Sequence, residues 1–241
     1  MPWLNTLLAA IPGDPLPRPL FIRDDDGGWD DTALWRLLDL MERREVPIDV
    51  AVIPDAVSTD LTRELRARVT AGSGVAVHQH GMSHRNHETT GRPCEFGGSR
   101  PLRAQHDDIR HGRRRLDDQF DGLARPVFTP PWNRCVRGTA DLLWREGFRV
   151  LSRDVGAPAF DTGLQEVGVS IDWARKVKGR RVDREEIVRR ALPALRTTRP
   201  IGLMLHHAVM TDGDFTDLDR LLGTLRASGQ VAFCHIEDVV N

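Results

Sequence analysis

The stretch Arg23-Asp24-Asp25-Asp26-Gly27-Gly28-Trp29 follows an apolar run, Leu20-Phe21-Ile22, and precedes a helical pattern. Three successive carboxylates repel one another and suit a strand interior poorly. They therefore belong beyond the end of a strand running roughly from Leu20 to Arg23, at a solvated or metal-filled mouth. Gly27 and Gly28 allow a sharp turn and a close approach of backbone to a ligand. Taken by itself the stretch also fits an acidic turn that caps the next helix, with Asp24 a turn residue. Three later stretches weigh against that plainer account: His80-Gly81-Met82-Ser83-His84, Phe128-Thr129-Pro130-Pro131-Trp132 and Leu203-Met204-Leu205-His206-His207.

Outward from this stretch, apolar runs alternate with helical patterns to the end of the chain, the rhythm of βα units. Leu34, Leu37, Leu38 and Met41 fall at i, i+3, i+4, i+7 spacing, which predicts a helix packed on a sheet. A strand over Ile48 to Ile53 precedes a helix carrying Leu61, Leu65 and Val69 that closes at Gly72, and Val75 to His78 begins the third strand. Residues 85 to 100 show no periodicity and form a long loop of the kind that often serves a site. A mixed-sign helix from Asp107 to Phe120 reads as a solvated outer helix. Strands are expected at Val127 to Thr129, Phe148 to Leu151, Val167 to Ile171, Ile201 to Leu205 and Val231 to Cys234. Helices carry Leu142 to Trp144, then Ile187 to Leu195 behind an apparent capping box at Asp183 and Glu186, then Leu218 to Leu225. Seven or eight such units, without repeat or composition shift, predict one α/β, barrel-like domain over residues 1–241, with site residues where strands end.

Composition narrows the function classes. A chain of 241 residues suits one α/β barrel, which commonly takes about 200–250. A formal charge of −1 creates no global field to draw nucleic acid or an anionic membrane. The three cysteines, Cys94, Cys135 and Cys234, are far apart and lack CxxC spacing, which fits neither a disulfide framework nor a cysteine zinc site. With no basic, apolar leader at the N-terminus and no apolar run long enough for a membrane span, a soluble cytoplasmic protein is expected.

His80 and His84 stand four residues apart beyond a strand, which brings both imidazoles onto one side of a turn. Asp26 completes a candidate set of three ligands that leaves a metal position open for water, as a catalytic zinc requires. His78 shares the strand face of His80 by period 2 and is either support beneath the metal or a satisfied core histidine. Trp29, Trp132 and Trp173 each flank a motif, where they form an apolar wall for substrate or pack in the core. The charged stretch from Ala174 to Arg184 is either a grip for an anionic substrate or a solvated loop.

This combination of motifs resembles the polysaccharide deacetylase (NodB-like) superfamily, related to carbohydrate esterase family 4, over roughly Phe21 to His207. The resemblance implies an irregular (β/α)7-type barrel. It implies Asp25 as catalytic base and Asp26, His80 and His84 as ligands of a divalent metal, most often zinc. Pro130-Pro131-Trp132 resembles the segment that offers a backbone N–H, here that of Trp132, to the oxyanion, with Pro131 and Trp29 beside the substrate. Leu203 to His206 matches the terminal signature and implies His206 as general acid, with His207 next to it as the other candidate. Asp172-Trp173 resembles the element that buttresses this histidine. Val127 stands where the family often carries an arginine, and Arg125 and Arg134 flank that place. Gln79-His80-Gly81, Asn86-His87 and Glu95-Phe96-Gly97 resemble a subgroup distinct from the secreted chitin and peptidoglycan enzymes.

The implied activity is metal-dependent hydrolysis of an N-acetyl or related amide on a carbohydrate or small molecule. In it, Asp25 takes a proton from water and His206 gives one to the departing nitrogen. Two other classes compete. One is different metal chemistry on the same ligands, such as phosphoester or peptide-type hydrolysis or an iron oxygenase, which the Asp25-Asp26 pair speaks against. The other is a non-catalytic carbohydrate-binding relative.

Overall fold

The computed structural model describes every residue except 14, 198 and 241. A short helix, α1 (Pro2–Ala10), precedes β1 (Arg18–Gly27), α2 (Asp31–Arg43), β2 (Ile48–Val52), α3 (Thr59–Thr70), β3 (Val75–His80), α4 (Leu102–Phe120), β4 (Arg125–Thr129), α5 (Arg137–Arg145) and β5 (Val150–Asp154). Next come β6 (Gln165–Val169), β7 (Ile171–Asp172) and a small hairpin of β8 (Lys176–Val177) and β9 (Arg180–Arg181). The chain then forms α6 (Arg184–Leu195), β10 (Ile201–Leu205), α7 (Asp212–Ser228) and β11 (Val231–Cys234).

The main sheet runs β6-β5-β4-β3-β2-β1-β10-β7, and every pairing in it is parallel. Ser170 alone separates β6 from β7, and its N–H donates to the Gly202 carbonyl at 2.7 Å. One bent strand thus pairs with β5 through its first half and with β10 through its second, which rolls the sheet into a nearly closed barrel. Gly202 is needed at the seam, because a Cβ there would meet the Gly168 carbonyl at 2.7 Å. The irregularity lies at β1, whose start pairs with β11 (Arg18 opposite Val231) and whose end pairs with β2 (Arg23 opposite Asp49).

Helix packing follows the spacing that predicts it. Leu34, Leu37, Leu38 and Met41 of α2 and Leu218, Leu221, Leu222 and Leu225 of α7 are all buried. The reciprocal capping box forms at α7, between Thr211 and Asp214, whereas Asp183 only accepts from the Glu186 N–H. Among the described residues, no helix is long and apolar enough to cross a membrane.

The largest departure from the sequence expectation is β1. It extends through Gly27, so Asp24, Asp25 and Asp26 lie within the strand and are buried rather than beyond it in a mouth. Burial of three carboxylates in a row requires three separate compensations, and each is visible at the C-terminal end of the barrel.

Candidate active site

Asp26 meets the first compensation. β1 delivers it, β3 ends on His80, and the following turn carries His84 alongside. One ligand atom of each of these residues lies within 4.8 Å of the others. Asp26 Oδ1 is 3.4 Å from His80 Nε2 and 3.2 Å from His84 Nε2. His80 Nδ1 lies 3.0 Å from the Thr129 carbonyl. Donation to that acceptor leaves Nε2 as a lone pair turned toward Asp26, the arrangement expected of a metal-ligating histidine. His80 Nε2 and Asp26 Oδ1 are both enclosed and have no hydrogen-bond partner. Orphaned acceptors buried face to face are costly unless a cation lies between them, so these residues fit a divalent metal. Burial would raise the Asp26 carboxyl, and a proton on His80, which Asp26 itself favours, holds it down to about 2; a metal would take the place of that proton. Burial and the adjacent His80 lower the pKa of His84, which favours the neutral ring a metal binds.

The turn that carries His84 is held from a distance. Glu95 is fully buried and accepts from the Met82 N–H at 3.2 Å, the Ser83 N–H at 2.8 Å and the Ser83 hydroxyl at 3.1 Å. Gly81, at φ +58°, leaves room for it, since a Cβ there would lie 2.1 Å from Glu95 Oε2 and 2.6 Å from Pro131 Cδ. The His84 ring sits between those of Trp29 and Trp132, with centroids 4.8 and 4.4 Å away. Nine non-glycine residues among those described have positive φ, and four of them, Asp26, His84, Trp132 and Asn133, belong to this cluster. Strained backbone concentrated in this way is characteristic of functional sites.

Asp25 is compensated by Arg23. Arg23 Nε and Nη2 donate to the two Asp25 oxygens at 2.7 and 3.0 Å, while Nη1 and Nη2 also donate to Ser152 Oγ and Asn133 Oδ1 at 2.7 and 2.6 Å. Burial would raise the Asp25 carboxyl, and the Arg23 guanidinium overrides it and holds the group below its usual range. The arginine beside Asp25 is thus contributed by β1 itself, two residues earlier on the same strand face. The two candidates read from the sequence are engaged elsewhere: Arg125 pairs with Glu237 at 2.9 Å, and Arg134 donates to the Pro93 carbonyl at 2.8 Å. Val127 is a fully buried core residue.

Asp24 is no turn residue. It accepts from the His207 backbone N–H at 3.0 Å and pairs with His207 Nδ1 at 2.5 Å, and His207 Nε2 donates to the Trp29 carbonyl. Burial disfavours the imidazolium, but Asp24 and the Trp29 carbonyl outweigh it and lift His207 to about 9. A histidine charged and sealed in this way is a clamp between β1 and the end of β10. A folded-state pKa above the unfolded value near 6.5 gives stability that is full below pH 6.5 and lost as pH rises through about 9. The melting-temperature gap between wild type and His207→Gln is therefore expected to be widest at pH 6 and to narrow steadily by pH 9.5.

His206 is the open one of the two. Its side chain is 27% exposed and its Nε2 lies 4.0 Å from Asp25 Oδ2. Burial raises the Asp172 carboxyl, and His206 is the strongest influence pulling it down. His206 Nδ1 and Asp172 Oδ1 are each enclosed without a hydrogen-bond partner, so the buttress implied by the sequence is an electrostatic neighbour rather than a hydrogen bond. Trp173 packs in the core, edge-on to Trp3 at 6.0 Å and 3.6 Å from the Arg184 guanidinium carbon. His78 is fully buried, with Nε2 2.9 Å from Thr129 Oγ1, and burial and the nearby Arg23 lower it to about 3. It is a neutral interior residue on the strand that carries His80. Arg23, Glu95, Ser152 and Asn133 are the site residues that sequence reasoning passed over. Of these only Arg23 left a local signal, its period-2 alternation with Asp25.

No family model and no curated protein matches the sequence. Solved structures do match in fold. A Mycobacterium smegmatis protein assigned as a polysaccharide deacetylase superposes with a TM-score of 0.74 at 15% identity, covering 95% of this chain and 91% of that one. A family 4 acetyl xylan esterase of Clostridium thermocellum, solved with a cobalt ion, gives 0.59 at 15% identity over 92% and 90%. A family 4 pseudoenzyme of Bacillus anthracis gives 0.62 at 12% over 95% and 67%. The barrel thus shares the fold of these polysaccharide deacetylase and carbohydrate esterase family 4 structures.

Proposed function

We propose that this protein is a metal-dependent hydrolase of the polysaccharide deacetylase superfamily that removes an N-acetyl or related acyl group from a carbohydrate-like or small amide substrate. The observation that carries the proposal is the pair of buried, partnerless ligand atoms, Asp26 Oδ1 and His80 Nε2, with His84 Nε2 beside them. Asp26, His80 and His84 would hold a divalent ion, most suitably zinc, which supplies polarisation of the carbonyl and a more acidic water. Asp25, kept ionised by Arg23, is placed to accept a proton from water. His206, solvent-reachable and 4.0 Å from Asp25, donates a proton to the leaving nitrogen. The Trp132 N–H binds the developing oxyanion, and the strained backbone of Trp132 supports a positioned role there. Trp29, 42% exposed, walls the mouth.

The fold does not by itself guarantee turnover, since one structural neighbour is a pseudoenzyme. The acid, base and ligand set present here is what supports catalysis over binding alone. The test is metal-dependent acetate release from a panel of N-acetylated sugars and acetyl-amines, with metal content measured on the same samples. Release that disappears on chelation and returns with added zinc supports the proposal, and metal binding without release from any amide counts against it.

A further inference from the structure

Beside the metal cluster lies a groove of about 900 Å³ whose wall includes Asn133 and Asp172, and so begins at the Arg23 and His206 end of the site. Five arginines line it. Two are spoken for: Arg153 pairs with Glu166 and Arg190 with Glu186. The other three, Arg92, Arg134 and Arg175, have no carboxylate within ion-pair distance among the described residues. Arg134 bonds only a carbonyl, and Arg175 Nε is enclosed without any hydrogen-bond partner. All three line the same groove as Asp154, and their charges reach it there. Glu88, held by Ser99, and Asp154 and Asp172 offset part of this charge without closing an ion pair on any of the three forks.

The same geometry separates the charged stretch 174–184 into two parts. Arg181 and Arg184 are clamped onto Asp214 and are structural, whereas Arg175 turns into the groove. Guanidiniums left open in a concave wall are suited to bidentate recognition of an oxyanion. We propose that the substrate carries an anionic group, a phosphate or a carboxylate, some way from the scissile amide, and that Arg92, Arg134 and Arg175 bind it in this groove. The proposal rests on the hydrolase reading above and narrows its substrate class.

The experiment compares N-acetylglucosamine with N-acetylglucosamine 6-phosphate and N-acetylmuramic acid, a neutral, a phosphorylated and a carboxylated form of one amide. Binding is measured by calorimetry on zinc-loaded Asp25→Asn, which needs no turnover, and kcat/KM on the wild type. An anionic form is expected to bind about tenfold or more tightly than the neutral one. This advantage should fall with added salt and collapse toward unity when Arg175→Ala, or separately Arg92→Ala, is added. Whichever anion binds better identifies the source of the charge. Equal binding of all three sugars, or a preference that survives both arginine substitutions, overturns the anion site even if acetate is released. Anion preference without acetate release from any sugar upholds the groove and counts against amide hydrolysis.

Discussion

His80→Ala is expected to lose bound divalent metal and, with it, acetate release by at least about a thousandfold. The reasoning begins with the imidazole's two nitrogens. Nδ1 is tied to the Thr129 carbonyl, so Nε2 has one orientation only, facing Asp26 Oδ1 at 3.4 Å. Removing the ring leaves Asp26 and His84 as a two-point site, too few ligands for a tightly held zinc. It also removes the largest influence that holds the Asp26 carboxyl near 2. Burial is then unopposed from that side, and the remaining carboxylate binds metal less well at neutral pH. Metal analysis after dialysis and acetate assays on the same preparation check this. A variant that keeps stoichiometric zinc at wild-type affinity would show that the cluster is not a metal site. The backbone of β3 supplies the sheet pairing at this position, with His80 opposite Thr129, so the fold is expected to survive and circular dichroism to be unchanged.

What could be read from the sequence follows from how far each interaction reaches along the chain. Helix faces such as Leu34, Leu37, Leu38 and Met41 are local patterns, and the structure buries them as their spacing predicts. Strand Ile201–Leu205 and strand Val231–Cys234 were legible to the residue because each is an apolar run bounded by turns. The Asp26, His80 and His84 cluster was legible as residue types at strand ends, although it joins positions more than fifty residues apart. The repulsion among Asp24, Asp25 and Asp26 argues for an early end to β1 only in the absence of their partners, which the local sequence does not show. In the fold each faces a different compensation: His207 for Asp24, Arg23 for Asp25 and the histidine pair for Asp26. Two of those three are supplied from elsewhere in the chain: the histidine pair shows in its four-residue spacing, whereas nothing in the sequence marks His207 as the partner of Asp24. Glu95 was hidden for the same reason. An aperiodic loop returns it beneath the His80–His84 turn, where its carboxylate serves the two N–H groups that the sharp turn at Gly81 leaves unpaired.

Arg23→Leu is expected to destabilise the protein by about 3–5 kcal/mol, the usual cost of leaving one member of a buried ion pair without its partner. Arg23 is fully buried and its guanidinium ties together Asp25 from β1, Ser152 from β5 and Asn133 from the turn after β4, so the loss also unlinks three parts of the site. The pH dependence gives a sharper signature than the magnitude. In the wild type the Asp25 carboxyl is depressed, so its contribution is present above the unfolded pKa near 3.8 and fades as pH falls through the lower folded value. In the variant, burial acts without Arg23 and raises the carboxyl instead, so the folded state binds the extra proton and loses stability as pH climbs. The melting-temperature gap between the two proteins is therefore expected to widen from pH 3 to pH 7. Catalysis should follow the same group. The acid limb of kcat/KM is expected to move to higher pH, because Asp25 as the proposed base must be ionised to accept a proton from water. Arg23→Lys restores the charge without the two-pronged contact and should bring the acid limb partly back. The double variant Arg23→Leu, Asp25→Leu removes both charges and should recover much of the stability while remaining inactive. An acid limb that stays in place in Arg23→Leu would show that Arg23 braces the barrel without setting the ionisation of Asp25.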